Sequence, residues 1–168
     1  MTMRRPTHIA LLIIGAIAVA GVSRADSIGV RMEVTANVVT NCRVVVPPLS
    51  FGTYDPLDVH ATQPADAAVN LTLMCTRNTG AAVSFDYGLH APSGTNRSMS
   101  GPGPDTLHYQ IYRDAARSQI WAQGTEAMRV TSHGVGTPDQ LTVFGRIPPR
   151  QEVEPGAYTD VLTATVEF

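Results

Sequence analysis

Hydrophobic and polar residues alternate with a period of two over an unusually long stretch near the start of the chain, residues 28–46. The even-numbered positions are mostly apolar and the odd-numbered positions mostly polar or small, which is typical of a β-strand with one buried face. A single strand of this length would span about 60 Å, whereas a domain of this size is roughly 40 Å across. We therefore expect the stretch to divide into two parts.

The two parts have different expected partners. The part near Cys42 can join the sheet of its own domain, but the part at 28–34 is left over. The apolar positions of this spare part are Ile28, Val30, Met32 and Val34. Because a spare strand exposes unpaired main-chain groups and an apolar face, it either folds back to pair within its own domain or pairs with another molecule. The functional interpretation depends on this choice.

Shorter alternating runs follow along the chain, separated by turn residues. They predict strands at 68–76, 82–87, 107–113, 141–147 and 157–168, with shorter strands within 49–58 and at 118–121 and 127–131. The turn at 78–80 indicates a hairpin between the first two of these strands, and the Gly- and Pro-rich residues 88–105 indicate a long surface loop. About six or seven strands at this spacing favour an all-β sandwich.

The last predicted strand runs to residue 168 with no turn after it. A sandwich whose final strand is also its last element can lack a closing edge strand, and an apolar groove would then stay open. The spare strand at 28–34 has the pattern to fill such a groove. If the spare strand of one molecule filled the groove of the next, the head-to-tail contact would build an open filament.

The first 25 residues are predicted to be a secretory signal peptide and not part of the fold. Arg4 and Arg5 form a basic start, residues 9–22 are apolar and uncharged, and Ser23 and Ala25 occupy the minus-three and minus-one positions of a cleavage site. An uncleaved membrane anchor is disfavoured because the apolar run is short for a membrane span. We expect a mature chain that begins near Asp26 and acts outside the cytoplasm.

Charge argues against two classes of partner. The chain has 12 basic residues, all arginine, and 14 acidic residues, and its net charge falls from −2 to about −5 once the three arginines of the predicted signal peptide are removed. A net negative protein is poorly suited to bind nucleic acid or an anionic membrane. Because lysine is absent, Schiff-base chemistry is also excluded.

The two cysteines, Cys42 and Cys75, are expected to form one disulfide, as is usual in an exported protein. Each belongs to the apolar set of its predicted strand, so both should face the core from neighbouring strands. The bridge would stabilise the fold by roughly 3–4 kcal/mol. A redox-active or metal-binding thiol pair is disfavoured because the spacing is far from C-x-x-C.

Catalysis and metal binding find little support in the sequence. It contains no G-x-S-x-G elbow and no pair of histidines with the spacing of a metal site, and its histidines are scattered. We therefore expect no catalytic residue, no metal site and no cofactor. Carbohydrate binding through Trp121, Tyr109 and Tyr112 is a further alternative, although we favour a core-filling role for these aromatic side chains.

Several motifs together resemble the spore coat protein U family, which includes the Csu-type (archaic) chaperone–usher pilins. The motifs cover nearly the whole predicted mature chain, and the second and third below are fairly specific in combination. They are Phe51-Gly52-Thr53-Tyr54, Tyr109-Gln110-Ile111-Tyr112-Arg113-Asp114-Ala115-Ala116-Arg117, Gly156-Ala157-Tyr158-Thr159-Asp160, Leu73-Met74-Cys75-Thr76 and Val143-Phe144-Gly145-Arg146-Ile147-Pro148.

The resemblance implies an incomplete immunoglobulin-like sandwich that lacks its last edge strand and is completed by a strand from another protein. Family pilins are held in the periplasm by a chaperone that lends a strand. At an outer-membrane usher, the N-terminal segment of the next pilin subunit replaces that strand. In this sequence the donor residues would be Ile28, Val30, Met32 and Val34, and the Cys42–Cys75 bridge would pin the first two strands of the domain.

The sequence thus predicts a signal peptide at 1–25, a donor segment at 26–36 and a sandwich domain at 37–168. The expected function is that of a structural subunit of a surface pilus, in adhesion or biofilm formation. Such a subunit would be exported to the periplasm and then to the cell surface. Alternatives are a surface coat protein of the same family that forms no pili, and a secreted carbohydrate-binding module.

Overall fold

Two antiparallel β-sheets form the fold in the computed structural model, which describes residues 21, 24–92 and 94–168. The strands are β1 (Cys42–Val45), β2 (Ala65–Cys75), β3 (Gly80–Phe85), β4 (Arg97–Ser100), β5 (Thr106–Tyr112), β6 (Met128–Thr131), β7 (Asp139–Ile147) and β8 (Ala164–Glu167). Five strands form one sheet in the order β1-β2-β7-β5-β4, and three form the other in the order β6-β3-β8. Two short 3-10 helices lie at Val59–Ala61 and Gly124–Glu126.

This architecture confirms the all-β sandwich predicted from the alternating runs, with eight strands where six or seven were expected. The sandwich unit comprises Asn37–Phe168. Of the unit that precedes it, residues 24–36 carry no regular secondary structure. The predicted signal peptide lies almost wholly outside the described residues. No helix within the described ranges is long and apolar enough to cross a membrane.

The core lies between the sheets and follows the period-two pattern of the strands. The central pair is β2 and β7, which run opposite each other from Ala65 and Ile147 to Leu73 and Asp139. Every second residue of β7 is buried, because successive side chains of a strand point to opposite faces. The same alternation holds in β2, where Ala65, Leu71, Leu73 and Cys75 are buried but Ala67 and Val69 are only half-buried. In β5 the buried residues are Leu107, Tyr109 and Ile111.

Trp121 fills the centre of this core, as the sequence interpretation favoured. Its side chain is fully buried, its indole N–H donates to the carbonyl of Val83 at 2.7 Å, and its ring meets Phe85 edge to face. Tyr109 is also buried and Tyr112 is half-buried. Stacking on a sugar needs an exposed ring, so the buried Trp121 cannot serve in the carbohydrate-binding alternative.

The predicted hairpin between strands 68–76 and 82–87 is wrong. Both strands exist, but β2 pairs with β1 and β7, whereas β3 lies in the other sheet and pairs with β6 and β8. The short turn at 76–79 carries the chain from one sheet to the other, with Asn78 in the left-handed region at φ 60°. Both edges of β2 are already occupied, so its chain neighbour has to leave the sheet.

The predicted loop at 88–105 contains strand β4, which the sequence analysis missed. Arg97 begins this strand and is fully buried, and its guanidinium donates to the carbonyls of Asp86 and Trp121 and to the Gln110 side chain. Desolvation lowers the pKa of Arg97. A buried arginine breaks the apolar pattern by which a strand is recognised. Its burial is possible because hydrogen-bond partners reach it from distant parts of the chain, and the local sequence does not reveal them.

Three other predicted strands are shorter than expected or absent. No strand forms within 49–58, and 118–121 contributes only an isolated bridge between Ile120 and Tyr112. The final strand is regular only over β8, although Thr159 forms a separate bridge with Ser100. The alternation at 157–163 therefore reflects a segment that lines the edge of the core and forms main-chain hydrogen bonds to neighbouring parts of the chain only at single residues.

Candidate strand-binding groove and donor segment

An apolar groove opens between the segment that follows strand β1 and the segment that leads into strand β8. A cavity of about 420 Å³ lies there, bounded on one side by residues such as Leu49 and Phe51 and on the other by Tyr158 and Leu162. Buried core residues, including Ile111, also line this cavity. The core is thus reachable from outside along this seam.

A second and larger concavity, of about 900 Å³, continues the groove at one end. It shares Leu49, Phe51, Met99 and Tyr158 with the first cavity. Because the two cavities share these lining residues, they form one continuous depression, and a continuous apolar depression beside a strand edge suits an extended chain.

The inward side chains of the edge strands beside the groove are only partly shielded from solvent. Val44 on β1 and Ala164 and Val166 on β8 pack against the core but are half-buried, as is Leu162 just before β8. Leu71 and Leu73 on the central strand β2 are fully buried by comparison. The core therefore lacks cover along this one seam, which is where an additional strand would lie.

The free edge of β8 offers main-chain hydrogen-bonding groups to such a strand. Thr163 turns its main-chain groups toward β3, since its N–H donates to the Asp86 carboxylate at 2.9 Å and its carbonyl accepts from Asp86 N–H at 3.1 Å. Main-chain groups alternate in direction along a strand, so those of Leu162, Ala164 and Val166 point to the other side. In the described sheet β8 is an edge strand, and no strand pairs on that side.

The wall opposite β8 is held in place by a close approach of two side chains to a glycine. Leu49 and Phe51 pack directly on Gly145 of β7, at a distance where a Cβ would lie 2.7 Å from each of them. A larger residue would push both side chains into the groove. The absence of a side chain at Gly145 therefore allows the segment after β1 to pack closely against β7.

The Cys42–Cys75 disulfide is formed, as predicted, and it anchors the groove-side edge strand. The two residues lie directly opposite each other in the β1–β2 pair, with Cα atoms 4.0 Å apart. The bridge spans 33 residues of sequence and fixes β1 to the long strand β2. It thus braces the strand that continues into one wall of the groove.

The predicted donor residues are exposed and belong to no strand. The exposed fractions of Ile28, Val30, Met32 and Val34 are 94%, 90%, 84% and 79%. Residues 24–40 have no regular secondary structure. The pairing of this segment with another molecule stays a prediction.

Histidines within the described residues take part in local contacts. His108 meets Ser98 at 2.7 Å, and His133 meets Asp139 at 2.5 Å. Hydrogen bonding from His133 lowers the pKa of Asp139. Within the described residues, no group of three His, Cys, Asp or Glu side chains is placed to hold a metal ion.

Comparison with known proteins identifies the family. The model of the spore coat protein U domain family matches residues 29–165, which is most of the chain. The chain belongs to the spore coat protein U domain family. This confirms the resemblance seen in the sequence motifs.

A named relative and a solved structure agree with this family. "Protein U" of Myxococcus xanthus is 30% identical over 128 residues, which cover 71% of each protein. A similar solved structure is the chaperone–tip adhesion subunit pre-assembly complex (CsuC–CsuE) of the archaic chaperone–usher Csu pili of Acinetobacter baumannii. That match has a TM-score of 0.57 and 25% identity, and it covers 78% of this chain but only 40% of the matched chain. The sandwich of this spore coat protein U domain is thus immunoglobulin-like.

Proposed function

We propose that this protein is a structural subunit of a chaperone–usher-type surface fibre, which polymerises when segment 26–36 of one copy occupies the groove of the next. The observation that carries the proposal is that one chain has both features that such a contact between subunits, here called the joint, would need. It has an exposed segment with alternating apolar residues and a groove beside an unpaired strand edge.

The size of the groove and the chemistry of the segment support this fit. Burial of four aliphatic side chains contributes about 1.5–3 kcal/mol each, or about 6–12 kcal/mol before the cost of ordering the segment. Main-chain hydrogen bonds to the free edge of β8 add to this. Such a contact is head-to-tail and leaves each end free, so repetition gives an open filament.

Strand directions favour a segment from a neighbouring copy over the chain's own segment. Strand β1 starts beside Cys75, and β8 ends near the same end of the sandwich, where Glu167 lies opposite Ala82. The chain's own segment would have to turn back before Cys42 and run parallel to β8. A segment from a neighbour can enter antiparallel to β8, which is the slightly more stable pairing.

An open apolar groove needs a temporary occupant between export and assembly, because exposed strand edges aggregate. The similarity to a chaperone-bound pilus subunit supports a periplasmic chaperone in this role. An outer-membrane usher would then exchange the chaperone for the next subunit at the cell surface. We assign the resulting fibre to adhesion or biofilm formation.

A fusion protein tests the joint within one molecule. A second copy of segment 26–36 is appended after Phe168 through a short Gly/Ser linker, so that it can return along β8 in the antiparallel direction. We expect a higher melting temperature than that of the unfused chain. Trp121 is the only tryptophan and is fully buried, so its fluorescence reports unfolding of the sandwich alone.

Two altered fusions serve as matched controls. In one, the appended copy carries Val30→Asp and Val34→Asp on the apolar face, which should abolish the added stability. In the other, it carries Gly29→Asp and Thr35→Asp, which add the same charge on the opposite face and should preserve it. Equal melting temperatures for all three fusions and the unfused chain would refute the proposal.

A surface coat protein that forms no pili is the second candidate, favoured by the family's name and by the similarity to Protein U. It predicts the same fold but no thin fibres. Electron microscopy of cells that express the protein with its secretion partners distinguishes the two, because only the pilus subunit gives filaments that disappear when 26–36 is altered.

A further inference from the structure

The groove wall on the β8 side is formed by residues 158–162, which pair with no strand except through the bridge between Thr159 and Ser100. This wall contains the Tyr-Thr-Asp end of the Gly-x-Tyr-Thr-Asp motif, to which the proposed joint assigns no role. A wall outside a regular sheet needs other contacts to hold its position. Asp160, in the middle of the wall, supplies them.

The Asp160 carboxylate is almost completely buried, with 2% of its side chain exposed. It accepts a hydrogen bond from the Tyr109 hydroxyl at 2.7 Å and another from the Leu89 main-chain N–H at 3.0 Å. The His90 ring nitrogen Nδ1 lies 3.0 Å from the same carboxylate. One side chain thus ties the wall to strand β5 and to the loop after β3.

Gly88 provides an independent sign that this position of the carboxylate is built into the fold. Its φ is +86°, and a Cβ at this residue would overlap the Asp160 carboxylate. Only glycine allows both this backbone conformation and so close an approach. The loop at 88–90 is therefore shaped around Asp160.

Tyr109 connects the Asp160 wall to the opposite wall of the groove. Its ring lines the cavity and meets Phe51 edge to face, with ring centroids 6.1 Å apart. Burial, reinforced by the bond to Asp160, raises the pKa of Tyr109 well above its ordinary range, so the hydroxyl remains a proton donor. The chain of contacts from Phe51 through Tyr109 to Asp160 spans the floor of the groove.

We infer that Asp160 is a positioning residue of the strand-binding groove. Through Tyr109 it sets the separation of the two walls, and it holds the unpaired edge at Leu162 ready for an incoming strand. This inference rests on the proposed function and gives the Gly-x-Tyr-Thr-Asp motif a physical role. The incoming strand then meets an edge that is already ordered, which lowers the entropic cost of binding.

The test measures binding of a fluorescent peptide that copies residues 26–36 to the full mature chain. Asp160→Asn keeps the shape of the side chain but loses its charge and forces an amide N–H₂ against one of the donors. We expect the peptide to bind about tenfold more weakly or worse. Tyr109→Phe removes only the hydroxyl and should weaken binding in the same direction.

Asp114→Asn is the matched control, because it removes a carboxylate with similar bonds that lines neither cavity of the groove. Asp114 accepts from the Ser118 N–H and hydroxyl and from the Gln119 N–H at 2.7–3.1 Å. This variant should lower the melting temperature without changing the peptide affinity. A purely structural role for Asp160 would make Asp160→Asn behave in the same way.

The outcomes separate the two proposals. Binding of the peptide by the wild-type chain, with unchanged affinity in Asp160→Asn or Tyr109→Phe, would overturn the positioning role and leave the proposed function intact. Failure of the wild-type chain to bind the peptide would refute the proposed function, and the inference with it. If Asp160→Asn does not fold, Tyr109→Phe decides the question.

Discussion

Val34→Asp is the substitution that most directly probes the donor segment. Val34 is 79% exposed in the single chain, so its replacement should leave the sandwich of its own copy unchanged. In the fibre the same side chain would be buried in a neighbour's groove. The substitution should therefore separate assembly from folding.

The expected loss of assembly is large. Removal of a buried valine costs about 1.5–3 kcal/mol, and burial of a carboxylate without a partner adds a further penalty. The joint should weaken by at least about 3 kcal/mol, which is more than about 100-fold in its equilibrium constant. Thr35→Asp introduces the same charge at the adjacent position on the opposite face and should weaken the joint little.

The assay is a denaturing gel of unboiled samples, after co-expression with the chaperone and usher. Wild type and Thr35→Asp should give a ladder of multimers that collapses on boiling, and Val34→Asp should give monomer at undiminished periplasmic yield. A full ladder from Val34→Asp would show that this residue is not buried in the joint. Loss of the ladder in both variants would mean that the face assignment is wrong.

Three further predictions concern the sandwich itself. Cys42→Ser should destabilise the fold by roughly 3–4 kcal/mol, seen as lower periplasmic yield and a lower urea midpoint; equal yield would exclude a stabilising role for the bridge. Trp121→Ala should cost about 3–5 kcal/mol because it empties the centre of the core, and a nearly unchanged melting temperature would contradict its burial. Asp139→Asn should lower stability at pH 7, because hydrogen bonding from His133 lowers the pKa of Asp139 and so stabilises its charged form. That contribution is present above its ordinary pKa of about 3.9 and disappears as the pH falls through the lowered value, so wild type and variant should converge near pH 2.

Much of the fold could be predicted from the sequence because its main strands have one buried face. The alternation in β2, β5 and β7 is a local property and survives in the structure with small changes at the ends. The pairing of Cys42 with Cys75 followed from the same alternation together with the presence of only two cysteines. The donor residues were predicted in the same way, from a strand pattern longer than the domain could use, and their role stays a prediction.

Strand partners and sheet membership could not be predicted in this way. The turn at 76–79 has the residues of a hairpin, yet it joins two sheets because both edges of β2 are taken by strands distant in sequence. Strand β4 was missed because its buried Arg97 is satisfied by carbonyls of Asp86 and Trp121, which no local pattern indicates.

The sequence by itself determined the class of fold, the disulfide and the surplus of one strand pattern, since each depends on residue spacing along the chain. Only the tertiary structure decided where the core is left open and what holds the walls of the groove. Those features depend on contacts between residues far apart in sequence, such as Tyr109 with Asp160 and Leu49 with Gly145. A buried hydrogen bond or a close approach to a glycine has no period, so it becomes visible only once the strands have been brought together.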